Sequence, residues 1–142
     1  MFRVLLVDDN RFFREAFKKE FSLRFPSAVS EEAADSDQAL QSIKGTLPHL
    51  IFMDIRMPGM NGLQLTGKIK GENPNTRIAI LTGYDLPEYR VAALQCGADR
   101  FFVKSSLQWD EVWHSLKRFR LKASFSAILH SNHRRMDRRK GF

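Results

Sequence analysis

The chain has one cysteine, Cys96, among 142 residues. A lone cysteine excludes an intramolecular disulfide framework and fits a reducing compartment. No apolar stretch approaches the roughly 20 residues of a membrane-spanning helix. The start, Met1-Phe2-Arg3, runs into a short strand-like segment and lacks the pattern of a secretory signal peptide. A cytoplasmic soluble protein is the expectation. No repeat or low-complexity tract interrupts the chain. His49, His114, His130 and His133 show no metal-ligand spacing with the cysteine, so they read as surface or incidental residues.

Acidic residues are scarce in one place only. Residues 117–142 carry 9 Lys/Arg and a single acid, Asp137, whereas residues 1–116 carry 14 Lys/Arg against 15 Asp/Glu. The formal net charge of +7 therefore belongs to the tail, and the rest of the chain is close to neutral. A chain of this length holds one domain and can bury a core without disulfides or metal staples. The expected division is a domain over 1–121 and a basic tail over 122–142, partly helical or disordered.

Apolar runs alternate with helical patterns. Residues 2–7, 50–53, 77–82 and 100–103 read as buried strands, and 28–33 as a weaker, polar strand at a sheet edge. Asn10 can cap a first helix in which Phe13, Ala16, Phe17 and Phe21 form an apolar stripe that Pro26 closes. Asp35 to Gly45, a segment beginning near Leu63, and Leu86 to Cys96 read as further helices. Gly97 falls where a left-handed C-cap is wanted. Ser106 is expected to cap a last helix carrying Trp109, Val112, Trp113 and Leu116. Five βα repeats call for a parallel sheet with helices on both faces and right-handed crossovers.

The run ends carry the chemistry. Val4-Leu5-Leu6-Val7 leads into Asp8-Asp9, Leu50-Ile51-Phe52-Met53 into Asp54, Ile78-Ala79-Ile80-Leu81 into Thr82, and Phe101-Phe102-Val103 into Lys104. In an open parallel sheet these ends share the edge where such folds place their chemistry. Like charges about 4 Å apart repel by about 4 kcal/mol at an effective dielectric near 20. One Lys cannot balance three carboxylates. A hard divalent ion with oxygen ligands can, and Mg²⁺ suits a site that also takes phosphate. An Asp there can attack phosphorus and become an acyl phosphate, with Thr82 and Lys104 facing the phosphoryl oxygens.

Leu-Leu-Val-Asp8-Asp9-Asn, Met-Asp54-Ile-Arg-Met-Pro58-Gly-Met-Asn-Gly62, Leu-Thr82-Gly and Phe-Val-Lys104 resemble the receiver domain of two-component response regulators over about residues 1–120. The resemblance implies a flavodoxin-like doubly wound (βα)5 α/β fold with a five-stranded parallel sheet in the order 2-1-3-4-5. It implies Asp54 as phosphoacceptor and Mg²⁺ as cofactor, held by Asp8, Asp9, Asp54 and the backbone carbonyl of Arg56. Thr82 and Lys104 would contact the phosphoryl group, and Phe101 would be the switch aromatic. Ser105 stands where the family most often has Pro after a cis bond. A cis bond before Ser costs about 2.5–4 kcal/mol, against about 0.5–1 before Pro, so the sequence leaves both geometries open.

The implied function is a phosphorelay switch, not an enzyme in the ordinary sense, although it assists its own phosphotransfer and dephosphorylation. Its donor would be a histidine kinase or phosphotransfer protein. Its output would be read by an unknown target on the surface of the fourth helix, last strand and last helix, a surface that also admits a homodimer. The receiver itself would not bind DNA. The tail cluster Arg134, Arg135, Arg138, Arg139 and Lys140 is either a solvated end or a contact for nucleic acid or an anionic surface. Two rival readings stand beside this one. A phosphatase with an aspartyl-phosphate intermediate needs an Asp-x-Asp pair that is missing here. A pseudo-receiver that binds partners without phosphorylation usually lacks an acid or the Lys, and this chain keeps them. A stand-alone receiver and a piece of a longer regulator both remain open.

Overall fold

In the computed structural model the described residues are 2–118. The basic tail, its Arg134–Lys140 cluster, and His130 and His133 lie outside them. The elements run β1 (Arg3–Val7), α1 (Arg11–Arg24), β2 (Val29–Ala33), α2 (Ser36–Gly45), β3 (Leu50–Met53), α3 (Gly62–Glu72), β4 (Arg77–Thr82), α4 (Pro87–Gln95), β5 (Arg100–Val103) and α5 (Trp109–Arg118). All strand pairs are parallel and the sheet order is β2-β1-β3-β4-β5.

The alternation of a strand's side chains divides the core into two halves. Val4 and Leu6 of β1, with Leu50 and Phe52 of β3, face Phe17 and Phe21 of α1 and Val112, Trp113 and Leu116 of α5. Leu5 and Val7, with Ile51 and Met53, face Ala39 of α2, Leu65 and Ile69 of α3 and Ala93 of α4. Burial on both faces is why these strands read as unbroken apolar runs. β2 pairs only with β1 and is mostly exposed, as its polar sequence leads one to expect.

Caps fix several helix starts. The Asn10 side chain accepts the Phe13 N–H at 3.0 Å, and Asp35 accepts the Gln38 N–H at 2.8 Å. Asn61 and Gln64 form a capping box at the head of α3. Gly97 has φ 91°, a left-handed value that suits glycine.

Three local expectations need correction. Ala16 is exposed, not part of the buried stripe. The buried line of α1 runs at fourfold spacing through half-buried Phe13 to Phe17 and Phe21, and Ala16 lies off it toward solvent. Ser106 does not cap α5. Lys104–Ser106 forms a single 3-10 turn, Leu107 is extended, and the Gln108 carbonyl accepts the first helical N–H groups of α5. Leu107 and Trp109 both pack against the α1 side of the core, and seating both requires that extended residue. His49 is not incidental, because its Nδ1 accepts the Arg3 N–H at 2.9 Å and its ring stacks on Phe2. The Lys104–Ser105 bond is trans, since the described residues contain no cis peptide.

At the opposite end of the sheet, Asp99 ties β4 and α3 to the start of β5. Lys70 Nζ lies 2.7 Å from its Oδ2, Arg77 Nη1 3.1 Å from its Oδ1, and the Ile78 N–H donates to Oδ2 at 2.9 Å. Replacing Asp99 with Ala leaves two cations and an amide without this partner. The expected loss of unfolding free energy is about 2–3 kcal/mol. Urea unfolding of the two proteins measures it, and a change under about 0.5 kcal/mol, the range of an ordinary surface substitution, would contradict the tie.

Candidate functional site

Parallel strands bring their carboxyl ends to one edge, and the ladder continues one step beyond β1 and β3. The Asp8 N–H donates to the Ala33 carbonyl at 3.0 Å and the Asp54 N–H to the Val7 carbonyl at 2.9 Å. Both residues are thus held by the sheet. Asp8 and Asp54 are buried and Asp9 is exposed. One carboxylate oxygen from each of the three lies within 4.8 Å of the others.

Each buried carboxylate is partly satisfied. Asp8 Oδ1 accepts the Asn10 N–H at 2.8 Å and Asp54 Oδ1 the Ile55 N–H at 2.9 Å. Arg14 donates to the Asp8 backbone carbonyl at 2.7 Å. Lys104 Nζ lies 2.6 Å from Asp8 Oδ2 and 3.6 Å from Asp54 Oδ2, and 4.2 Å from the Phe13 ring centroid. The Asp8 contact is an ion pair without hydrogen-bond geometry, so this buried oxygen still has lone pairs to offer. That oxygen, the buried Asp54 carboxylate and the exposed Asp9 carboxylate make a hard oxygen set suited to a divalent cation.

The acids also disturb one another. Burial first, and then the neighbouring Asp8 charge, raise the Asp54 pKa from the ordinary 3.8 to about 6. Lys104 and the Ile55 N–H pull the other way and do not cancel the rise.

Above the acids lies an open cleft of about 440 Å³, lined by Asp9, Asn10, Asp54, Arg56, Gly83, Tyr84 and Lys104. Thr82 is at the end of β4 as expected but is fully buried. Its Oγ1 accepts the Tyr84 N–H at 3.3 Å, so Gly83 and Tyr84 form the cleft wall on that side. Phe101 is half-buried on β5, with the Arg90 guanidinium 4.7 Å from its ring centroid. The Arg56 side chain turns along the cleft mouth toward Tyr84 and Tyr89.

Gly62 closes the motif that begins at Met53, and the sequence alone assigns it no role. A Cβ on it would sit 1.7 Å from the Asp54 carbonyl oxygen, and its N–H donates to the Ile55 carbonyl at 2.8 Å. The head of α3 therefore presses on the backbone of the acceptor loop at a distance only glycine permits. The signal was present in the sequence, since a glycine at the first position of a helix has no capping duty to explain it.

Two outcomes follow from this geometry. Gly62→Ala must push the Asp54 loop away. It is expected to cost about 1–3 kcal/mol of stability and to weaken divalent-cation binding, which denaturation and a metal titration measure. A variant matching the wild type in both would refute the close approach. The second concerns protonation. Asp54 keeps its proton to a higher pH when folded than unfolded, so its own contribution to stability is fully present below the ordinary carboxylate pKa of 3.8, falls as pH rises through about 6 and stays lower above it. Asp54→Asn removes that penalty. Without divalent cation it is expected to gain about 2 kcal/mol at pH 7 and nothing at pH 3. Equal stability of the two proteins at pH 7 would contradict the crowding.

Comparison with known proteins gives one family. The model of the response regulator receiver domain matches residues 4–114. A probable transcriptional regulatory protein, NarL of Mycobacterium tuberculosis, is 36% identical over 110 residues, covering 78% of this chain and 51% of that protein. An uncharacterized transcriptional regulatory protein of Bacillus subtilis, YxjL, is 35% identical over 105 residues, covering 74% of this chain and 48% of its own. The chain thus spans about half the length of these curated relatives. Among solved structures, response regulator TrrA of Thermotoga maritima, crystallised with Mg²⁺ and BeF, aligns with TM-score 0.71 and 31% identity over 84% of this chain and 99% of that one. A CheY-like receiver domain protein of Methanospirillum hungatei aligns with TM-score 0.74 and 25% identity over 95% and 98%.

Proposed function

The chain belongs to the response regulator receiver domain family, and on that premise we propose that it is a signalling switch worked by a phosphoryl group on Asp54. The observation that carries this reading is the meeting of Asp8, Asp9 and Asp54 within 4.8 Å, beside Lys104 and under an open cleft. The donor is a histidine kinase or phosphotransfer protein carrying phosphohistidine. An Asp54 oxygen bonds to phosphorus as the bond to the donor's imidazole nitrogen breaks, and the electron pair returns to that nitrogen. The products are an acyl phosphate on Asp54 and a free histidine on the donor.

Each residue has a part in this reading. Asp8, Asp9, Asp54 and the Arg56 backbone carbonyl hold Mg²⁺. When bound, that ion neutralises carboxylate and phosphoryl oxygens together. Lys104, already poised between Asp8 and Asp54, pairs with a phosphoryl oxygen once Asp54 is modified. The Thr82 hydroxyl leaves its own loop, donates to another phosphoryl oxygen, and so draws the β4–α4 loop inward. Phe101 then has room to turn toward the core. The surface formed by α4, β5 and α5 reports the change to a downstream partner or a second copy. The outcome is a shift between two arrangements of one fold. Return to the resting state needs water to attack phosphorus, which releases inorganic phosphate and restores the Asp54 carboxylate.

Acetyl phosphate tests the site without any partner. With Mg²⁺ it is expected to add one phosphoryl group to the wild type, seen as a mass increase, and none to Asp54→Asn. Chelation of the metal abolishes the adduct. An adduct of equal yield on the Asn variant would move the acceptor elsewhere. A wild type that takes no phosphoryl group but binds the same partners with and without the donor would favour the pseudo-receiver reading.

A further inference from the structure

By buried residues, α4 is the least anchored helix of those described. Ala93 alone is buried, whereas α3 buries Gly62, Leu65, Thr66 and Ile69, and α5 buries Val112, Trp113, Ser115 and Leu116. Its N-cap is Leu86, which offers no side-chain oxygen to the first turn. The contact that reaches this turn from the acceptor loop comes from Arg56. Its Nε donates to Tyr89 Oη at 3.0 Å, and its guanidinium carbon lies 3.6 Å from the Tyr84 ring centroid and 5.8 Å from that of Tyr89. Arg90 continues the series, with Nε 2.7 Å from Asp85 Oδ1 and its guanidinium over Phe101. Two sets of contacts, joined by the chain at Tyr84–Asp85 and Tyr89–Arg90, therefore lead from the residue two past Asp54, through the head of α4, to β5.

We propose that Arg56 is a charge-sensitive strap. In the unmodified protein its guanidinium grips Tyr84 and Tyr89 and so ties the first turn of α4 to the acceptor loop. A phosphoryl group on Asp54 draws the guanidinium off both rings and into the cleft, and α4 is released. This rests on Asp54 being the phosphoacceptor. Arg56 is exposed, and it lines the same cleft as Asp54. A phosphoryl group brings a charge of about −2 at neutral pH. A guanidinium pairs with phosphate through two parallel charge-assisted hydrogen bonds, which outcompete one neutral phenol acceptor and a ring face. Lys104 also meets the phosphoryl group, but its contacts are to Asp8, Asp54 and the Phe13 ring and not to the head of α4, so it cannot take the strap's place. Release of α4 frees Arg90 to leave Phe101, which links the strap to the aromatic on β5.

The test is nuclear magnetic resonance on the full chain, free and with Mg²⁺ and beryllofluoride as the phosphoryl mimic. Amide shifts at Asp54 and Ile55 report occupancy of the acceptor. The Arg56 Nε–H signal and the Tyr84 and Tyr89 ring signals report the strap. Hydrogen exchange at the Tyr89 and Arg90 amides, both bonded to the Leu86 carbonyl, reports the head of α4. In the free protein Arg56→Ala is expected to speed that exchange roughly fivefold, and Tyr89→Phe by less, while exchange in β1 stays unchanged. Beryllofluoride is expected to speed wild-type exchange by a similar factor, to shift the Arg56 and tyrosine signals, and to add little in Arg56→Ala. An occupied Asp54 with unmoved Arg56 and tyrosine signals overturns the proposal. So does free Arg56→Ala that exchanges like the wild type. If beryllofluoride leaves Asp54 and Ile55 unshifted, the phosphoacceptor reading fails and the strap's response to charge with it. The free-protein comparison still decides whether Arg56 ties α4.

Discussion

Three carboxylates and one ammonium share the carboxyl edge of this sheet, and the ammonium is too little. Lys104 pairs with Asp8 and reaches Asp54, yet the Asp54 carboxyl still sits well above its ordinary pKa. The fold holds this unfavourable grouping in place from below. Asp8 and Asp54 are locked by backbone bonds to neighbouring strands, and Gly62 presses α3 against the loop that leaves β3. Relaxation by moving the acids apart would break the ladder and open both halves of the core. The cheaper relief is a cation. Poor charge balance at this edge is thus what favours a divalent ion there.

The same economy appears on the output side. The sheet and the helices α1, α3 and α5 are fastened by broad apolar contact, and Asp99 fastens the far end of β5. By contrast, α4 rests on Ala93, on the partly buried Tyr89 ring and on polar contacts that start in the Asp54 loop. A helix held mainly through exposed charged and aromatic side chains can be reset by a change in charge nearby. One held by Phe17, Phe21 and Trp113 cannot. The helix proposed to respond is the one with fewest buried residues among those described, as expected where local stability is lowest.

Much of this was legible in the sequence for a physical reason. Strands buried on both faces must be apolar throughout, so Leu5, Leu6, Ile51 and Phe52 announced themselves, and the polar β2 announced an edge. Asn10 revealed its helix start because capping needs a short side-chain acceptor, whereas Asp35, read as the first helical residue, is the cap of α2. The acids were legible because each follows such a strand directly. What stayed hidden depends on contacts distant in sequence or on crowding between backbones. The 3-10 turn before α5 is set by seating Leu107 and Trp109, not by the hydroxyl of Ser106. The role of Gly62 shows only once the Asp54 carbonyl lies against it. Arg56 and Tyr89 are 33 positions apart, and nothing local tells either of the other. Thr82 was placed at the right strand end, but the direction of its hydroxyl is set by the following loop.

The central claim is that crowding at Asp54 is unrelieved until a divalent cation joins it. The carboxyl carbon shift of Asp54, followed against pH with and without Mg²⁺, tests that claim directly. Without the ion the midpoint is expected near 6, and with saturating Mg²⁺ it moves well below that value, because the cation favours the charged form. An ordinary carboxylate midpoint in the free protein, or one that Mg²⁺ leaves in place, would contradict the account.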